Sequence, residues 1–137
     1  MTGILIITHA NLGQALIEAA ELISDEKIQN VSYISIDIKD PPEVLRNKIK
    51  KGIKRVQGDK GVIIFTDMFG GTPYNLSCSF LEEGFVEVIS SINLPMLIKA
   101  ISIREKMDIK KAVEHIVMEG KKSIAPASGI LRGEKRE

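Results

Sequence analysis

Short runs of consecutive apolar residues alternate along this chain with longer stretches in which apolar residues return every third or fourth position. That alternation marks strand–helix–strand units built around a parallel sheet. Residues 4–7 are unbroken apolar sequence between Gly3 and Thr8, as in a strand covered on both faces. Leu12, Leu16, Ala19 and Ile23 follow at helical spacing and predict a helix over 11–24. VSYISI at 31–36 alternates as a second strand would. Asp40-Pro41-Pro42 opens the next helix, with Asp40 as its expected cap and Leu45, Ile49, Ile53 and Val56 as its apolar face.

Residues 62–65 form the third predicted strand and VEVIS at 86–90 the fourth. Between them Leu76, Phe80 and Leu81 predict a short helix that stops near Gly84. NLPML at 93–97 leads into a helix reaching about Ile103. A last helix over 108–119 is carried by Ile109, Ala112, Val113, Ile116 and Val117. KKSIA at 121–125 reads as a short edge strand and GEKRE as a loose end. The expected organisation is one domain over 1–130 followed by a tail over 131–137, with no repeat and no linker.

Composition narrows the classes. A chain of 137 residues suits a single domain with a real core. A net charge of +1 argues against a nucleic-acid surface that works by bulk electrostatics. No apolar stretch approaches the roughly 18 residues of a membrane span, and MTGILIITHA lacks the charged start of a secretory signal. The single cysteine, Cys78, has no partner for an internal disulfide and reads as a small packed residue. No Cys/His cluster has metal-ligand spacing, so neither a metal nor a cofactor is expected. The implied setting is cytoplasmic. In the basic stretch RNKIKKGIKR at 46–55 the cations fall between apolar helix positions, which a solvated face explains; a docking face for an acidic partner is the other reading.

The chemistry gathers at two strand ends. In an open parallel sheet ligands bind beyond the carboxyl ends of the strands, where the strand order reverses. A 2-1-3-4 order puts that reversal between the strands ending in His9 and Asp67. Gly70 and Gly71, in TDMFGGTPYN, allow positive φ and close approach to the main chain. Thr72 is a good N-cap and Pro73 suits the first helical position, so the free N–H groups there would attract an anion. The stretch is no P-loop, because GxxxxGK[ST] is absent. A neutral His9 held at Nδ1 by a carboxylate would expose Nε2 as a nucleophile for phosphorus. Taken singly, His9 is an ordinary structural histidine, Asp67 a turn residue and GGTP a loop. Only their joint placement points to a site. His115, beside an apolar helix stripe, reads as structural or exposed.

Three segments in order, ILIITHANLGQAL, DMFGGTPYN and NLPML, resemble the enzyme IIA component of the mannose family of the phosphoenolpyruvate-dependent sugar phosphotransferase system, over most of the chain. The resemblance implies a three-layer α/β/α sandwich with a mainly parallel four-stranded sheet. It also implies a homodimer that exchanges a C-terminal edge strand, for which KKSIA is the candidate. It makes His9 the residue phosphorylated at Nε2 by the phosphocarrier protein HPr, Asp67 the carboxylate that orients it, and Thr72 the hydroxyl bordering the phosphate alongside Gly70 and Gly71. The phosphoryl group would pass to a IIB component for uptake of mannose-type sugars, with the membrane permease a partner only indirectly. The family often has glycine directly after the histidine; here Ala10 stands there, with a small local effect expected. With the chain ending at Glu137, IIB is expected as a separate protein. Three alternatives remain at this level: a regulatory phosphoprotein, the phosphotransfer subunit of a dihydroxyacetone kinase, and a flavodoxin-like domain holding a free anion. The second should lack the full DxxGGTPxN turn and NLPML.

Overall fold

The apolar runs become the four strands of one parallel sheet in the computed structural model, which describes residues 1–134. β1 (Gly3–His9) lies between β2 (Val31–Ile36) and β3 (Val62–Thr66), and β4 (Val86–Ile89) flanks β3. The register pairs His9 with Ile36 and Ile7 with Thr66. From β1 the chain steps out to β2 through α1 (Leu12–Ser24) and then returns past β1 to β3 through α2 (Pro42–Val56). The direction of winding therefore reverses between β1 and β3, and a crevice opens above their carboxyl ends.

Because successive strand residues face opposite ways, each apolar run feeds two cores. Ile4, Ile6, Ile63 and Phe65 pack with α1, α4 (Leu94–Ile103) and α5 (Ile109–Lys122). Leu5, Ile7 and Ile64 pack on the other face with α2 and α3 (Thr72–Cys78). All seven of these strand side chains are fully buried. Each contributes about 1.5–3 kcal/mol relative to exposure, which makes the sheet centre a rigid base for the loops above it. The three-layer α/β/α sandwich is thus the expected one, and VSYISI at 31–36 matches β2 residue for residue.

Several local expectations are corrected. KKSIA is not an edge strand: Lys121 and Lys122 complete α5, Ser123 is its C-cap, and β4 has no outer neighbour among the described residues. The helix runs on through Gly120, whose close seat against Met96 a Cβ would block at 2.6 Å, and the backbone bonds Ser123 N–H to the Glu119 carbonyl. Asp40 does not cap α2; Pro41 holds that position, and the Asp40 carboxylate instead accepts from Lys48 Nζ at 3.1 Å. The third helix begins earlier than its apolar spacing suggested and ends at Cys78, leaving Phe80 in the following turn and Leu81 just beyond it. A short α6 (Ala127–Leu131) after Pro126 was not expected, and it crosses the boundary drawn at 130. Of the expected tail, residues 135–137 lie outside the described residues.

Candidate functional site

The apolar run of β1 gives way to polar side chains at Thr8 and His9. Thr8 is buried, and its hydroxyl accepts the Gly13 N–H at 3.1 Å, pinning the first turn of α1 to the strand end. His9 points to the opposite face, into the crevice. The next residue, Ala10, turns the chain with φ +50°, a left-handed conformation that costs alanine about 1–2 kcal/mol. This is the physical reason a glycine would suit the position.

Asp67 follows the last residue of β3, one strand away. Its Oδ2 accepts two hydrogen bonds from the same residue, the His9 main-chain N–H at 2.9 Å and ring Nδ1–H at 2.8 Å. Its Oδ1 accepts the Met68 N–H at 3.0 Å. Burial, to 12% side-chain exposure, opposes ionisation of Asp67. The His9 main-chain N–H, the ring bond and its attraction outweigh that and hold the carboxyl below the usual carboxylate range. An ionised Asp67 has only acceptors to offer, so Nδ1 must carry the ring proton and Nε2 presents its lone pair. The His9 side chain is 41% exposed, and no hydrogen bond among the described residues uses Nε2.

The glycine turn closes the third side. Gly70 has φ +83° and a Cβ there would meet nothing within 4 Å, so backbone conformation alone calls for glycine. Gly71 is different. Its φ is −81°, and a Cβ would lie 3.2 Å from His9 Cε1, so this glycine makes room for the ring. Gly71, not Thr72, is the N-cap of α3; Thr72 and Pro73 are its first two residues, and no side chain caps the helix. The Gly71 and Thr72 N–H groups have no acceptor among the described residues, and the exposed Thr72 hydroxyl makes no hydrogen bond there.

The structure thus joins His9 to Asp67 by hydrogen bonds and sets Gly71 against the His9 ring, with Thr72 one residue beyond. Cys78 is a half-buried free thiol and His115 an exposed α5 residue. NLPML plays a local part: Asn93 Oδ1 accepts the Met96 N–H at 3.0 Å and caps α4. The sequence reading missed Thr8 as an anchor, although a threonine beside the histidine on an alternating strand must face the opposite side. It also missed Met68 and Phe69, which are 53% and 71% exposed at the mouth of the turn. Phe69 is steadied by Tyr74, with ring centroids 4.8 Å apart.

Fold and site together define a doubly wound α/β domain with a carboxylate-held histidine at its switch point. Comparison with known proteins makes this specific. The chain belongs to the family described as PTS system fructose IIA component, whose model matches residues 3–117. It is 27% identical over 117 residues to the PTS system fructose-specific EIIA component of Bacillus subtilis, covering 85% of this chain and 80% of that protein. It is 29% identical over 104 residues to the PTS system mannose-specific EIIAB component of Escherichia coli K12, covering 75% of this chain and spanning 32% of that longer protein. In fold it matches the EIIA phosphotransferase-system component of Streptococcus agalactiae with a TM-score of 0.82 and 23% identity, over 93% of this chain and 98% of that one. The chain is an EIIA component of the mannose, fructose and sorbose type, and such components are phosphotransferase components. No helix among the described residues is long and apolar enough to cross a membrane, and no group of three or more His, Cys, Asp or Glu side chains there is placed to hold a metal ion.

Proposed function

We infer that this chain is a cytoplasmic phosphohistidine carrier that takes a phosphoryl group from HPr onto His9 Nε2 and passes it to a separate IIB component for sugar uptake. The observation that carries this reading is the pair of bonds from His9 to Asp67 Oδ2, 2.9 Å from the main chain and 2.8 Å from Nδ1. They fix the tautomer and the ring together.

The step balances without moving a proton. The Nε2 lone pair attacks phosphorus while the P–N bond to the donor's histidine breaks and its electrons return to that ring. His9 then carries phosphate on Nε2 and hydrogen on Nδ1, a cationic ring facing the Asp67 carboxylate. That charge pairing stabilises both the transition state and the carrier. The unsatisfied Gly71 and Thr72 N–H groups and the Thr72 hydroxyl border the transferred oxygens, with Gly70 allowing the turn. Transfer to IIB is the same reaction in reverse, with an acceptor nucleophile in place of the donor. Exposed Met68 and Phe69, in the turn that follows Asp67, supply an apolar rim for docking both proteins. The open outer edge of β4 supports a homodimer, which sedimentation of the full chain tests.

Intact-mass spectrometry after incubation with phosphoenolpyruvate, enzyme I and HPr tests the carrier. One acid-labile phosphoryl adduct is expected on the wild type and none on His9→Ala. No adduct on the folded wild type, with the relay active on another acceptor, would leave a non-covalent anion-binding module. An adduct that no IIB protein removes would point to a regulatory phosphoprotein.

A further inference from the structure

Six of the fifteen residues of α2 are lysine or arginine, against one acid, Glu43. A row of cations between apolar positions is ordinary helix solvation. The fold adds where part of that row lies. Lys48, Lys51 and Arg55 stand at i, i+3 and i+7 on the flank of α2 beside β2, an outer strand of the sheet. With Ser32, Tyr33 and Ile34 they wall a recess of about 280 Å³ that no carboxylate among the described residues lines. Lys48 reaches Asp40 at 3.1 Å, whereas Lys51 and Arg55 have no carboxylate partner among the described residues. Gly52 lets the helix approach closely: a Cβ there would meet Ile34 Cδ1 at 2.9 Å and Leu5 at 3.2 Å, so α2 sits down on β2 and β1.

The outer side of β2 pairs with no strand among the described residues. A free edge presents main-chain N–H and C=O groups as a template for an added strand. The cations beside it decide which strand is admitted. A second β2 would bring its own Lys48, Lys51 and Arg55 against these three, and like charges in register reject it. An acidic strand is drawn in by the same charges. The spacing fits as well: Lys48 to Arg55 spans seven helical steps, about 10 Å, and alternate residues of an added strand repeat about every 6.6 Å. Two or three carboxylates on alternate residues of such a strand therefore meet the cation row while its backbone pairs with β2.

We propose that the β2 edge and the basic flank of α2 form a docking groove for an extended, acidic segment of a partner protein, with carboxylates at alternate positions. The groove shares no lining residue with the His9–Asp67 site, so docking and phosphoryl transfer are separable functions of one domain.

The test titrates the full chain into a fluorescein-labelled alternating glutamate–valine hexapeptide, with a glutamine–valine hexapeptide as the neutral control. Anisotropy is read alongside amide hydrogen exchange. Saturable binding is expected, at least about tenfold weaker for the neutral peptide, with slowed exchange confined to residues 31–36. The double substitution Lys51→Glu with Arg55→Glu is expected to weaken binding by about tenfold or more while His9 still accepts phosphate. If charge reversal impairs folding, Lys51→Gln with Arg55→Gln serves instead, with a loss of at least about threefold. Undiminished binding by a folded variant overturns the proposal, and so does binding without slowed exchange at 31–36, which would be simple ion pairing with the helix. Self-association of the charge-reversed chain, with no peptide binding by the wild type, would also overturn it by making the cations guards of the edge.

Discussion

His9 and Asp67 are 58 residues apart in the chain, and a single carboxylate oxygen of Asp67 accepts both the main-chain N–H and the ring Nδ1–H of His9, at 2.9 and 2.8 Å. One atom therefore ties the end of β1 to the end of β3 and at the same time fixes the imidazole. Replacing Asp67 tests the two parts separately. Asp67→Ala removes both bonds and frees the ring. Asp67→Asn must turn its N–H₂ toward either the Met68 N–H or the His9 donors; in the second orientation Nδ1 becomes an acceptor and Nε2 is left protonated. Phosphorylation is expected to slow by about 10²- to 10⁴-fold, with Asn at least as damaging as Ala. Time-resolved intact mass gives the rates, and equal rates in wild type and Asp67→Asn would remove the tautomer argument.

Acid stability reports the same contact. The folded-state pKa of Asp67 is depressed, despite burial, by its bonds to His9. Its stabilising contribution is fully present above the unfolded carboxylate value, near 4, and is lost as pH falls through the lower folded value. Asp67→Asn lacks this titration. Urea midpoints measured from pH 6 down to pH 2 should therefore converge for the two proteins as pH falls, and a constant gap would count against the assignment.

At Gly71 a methyl group tests packing on the ring. With the added Cβ 3.2 Å from His9 Cε1, the imidazole must move by a few tenths of an ångström. Gly71→Ala is expected to change stability by less than about 1 kcal/mol and to slow phosphorylation by about three- to tenfold. Gly70→Ala is expected to behave the other way. Its φ of +83° makes alanine strained in open space, so stability falls by about 1–2 kcal/mol with the ring undisturbed.

Ala10→Gly should stabilise the protein. It relieves the left-handed strain at φ +50°, about 1–2 kcal/mol, against up to about 1 kcal/mol of extra chain entropy. Thermal unfolding should shift upward by a few degrees. A lower melting temperature would mean that the methyl group packs usefully despite its exposed position.

Phe69→Ala removes an exposed ring from the mouth of the site and leaves His9, Asp67 and the glycine turn intact. The apparent KM for phosphorylated HPr should rise by about tenfold with the saturated rate held within about twofold. A fall in the saturated rate alone would place Phe69 in positioning the ring instead.

Much of this was legible in the chain because the strongest signals are local and periodic. The unbroken apolar run at 4–7 follows from burial on two faces, and both it and the alternating stretch at 31–36 reappear as strands of the sheet, the latter half-buried between α1 and α2. Ile109, Ala112 and Ile116 return at helical spacing and are buried together in α5. His9 and Asp67 stood out because each stands where an apolar strand run gives way to polar sequence, and the 2-1-3-4 order supposed for the sheet is the one it has. Family membership rests on such ordered segments as well.

Other features depend on distances between parts of the chain that no local pattern encodes. That one oxygen serves both His9 donors, that Gly71 and not Gly70 faces the ring, and that Ala10 is strained follow from how β1, β3 and α3 meet. KKSIA shows the limit plainly. Its propensity admits a strand, but a strand exists only with a partner, and within one chain the helix ladder from Glu119 to Ser123 satisfies the backbone first. The cation row on α2 was equally visible in sequence, and only the packing of Gly52 on Ile34 sets it beside an open strand edge. Residue order determined the elements and the chemistry at their ends; packing decided which atoms meet, because hydrogen bonds and contacts act over a few ångströms whatever the separation along the chain.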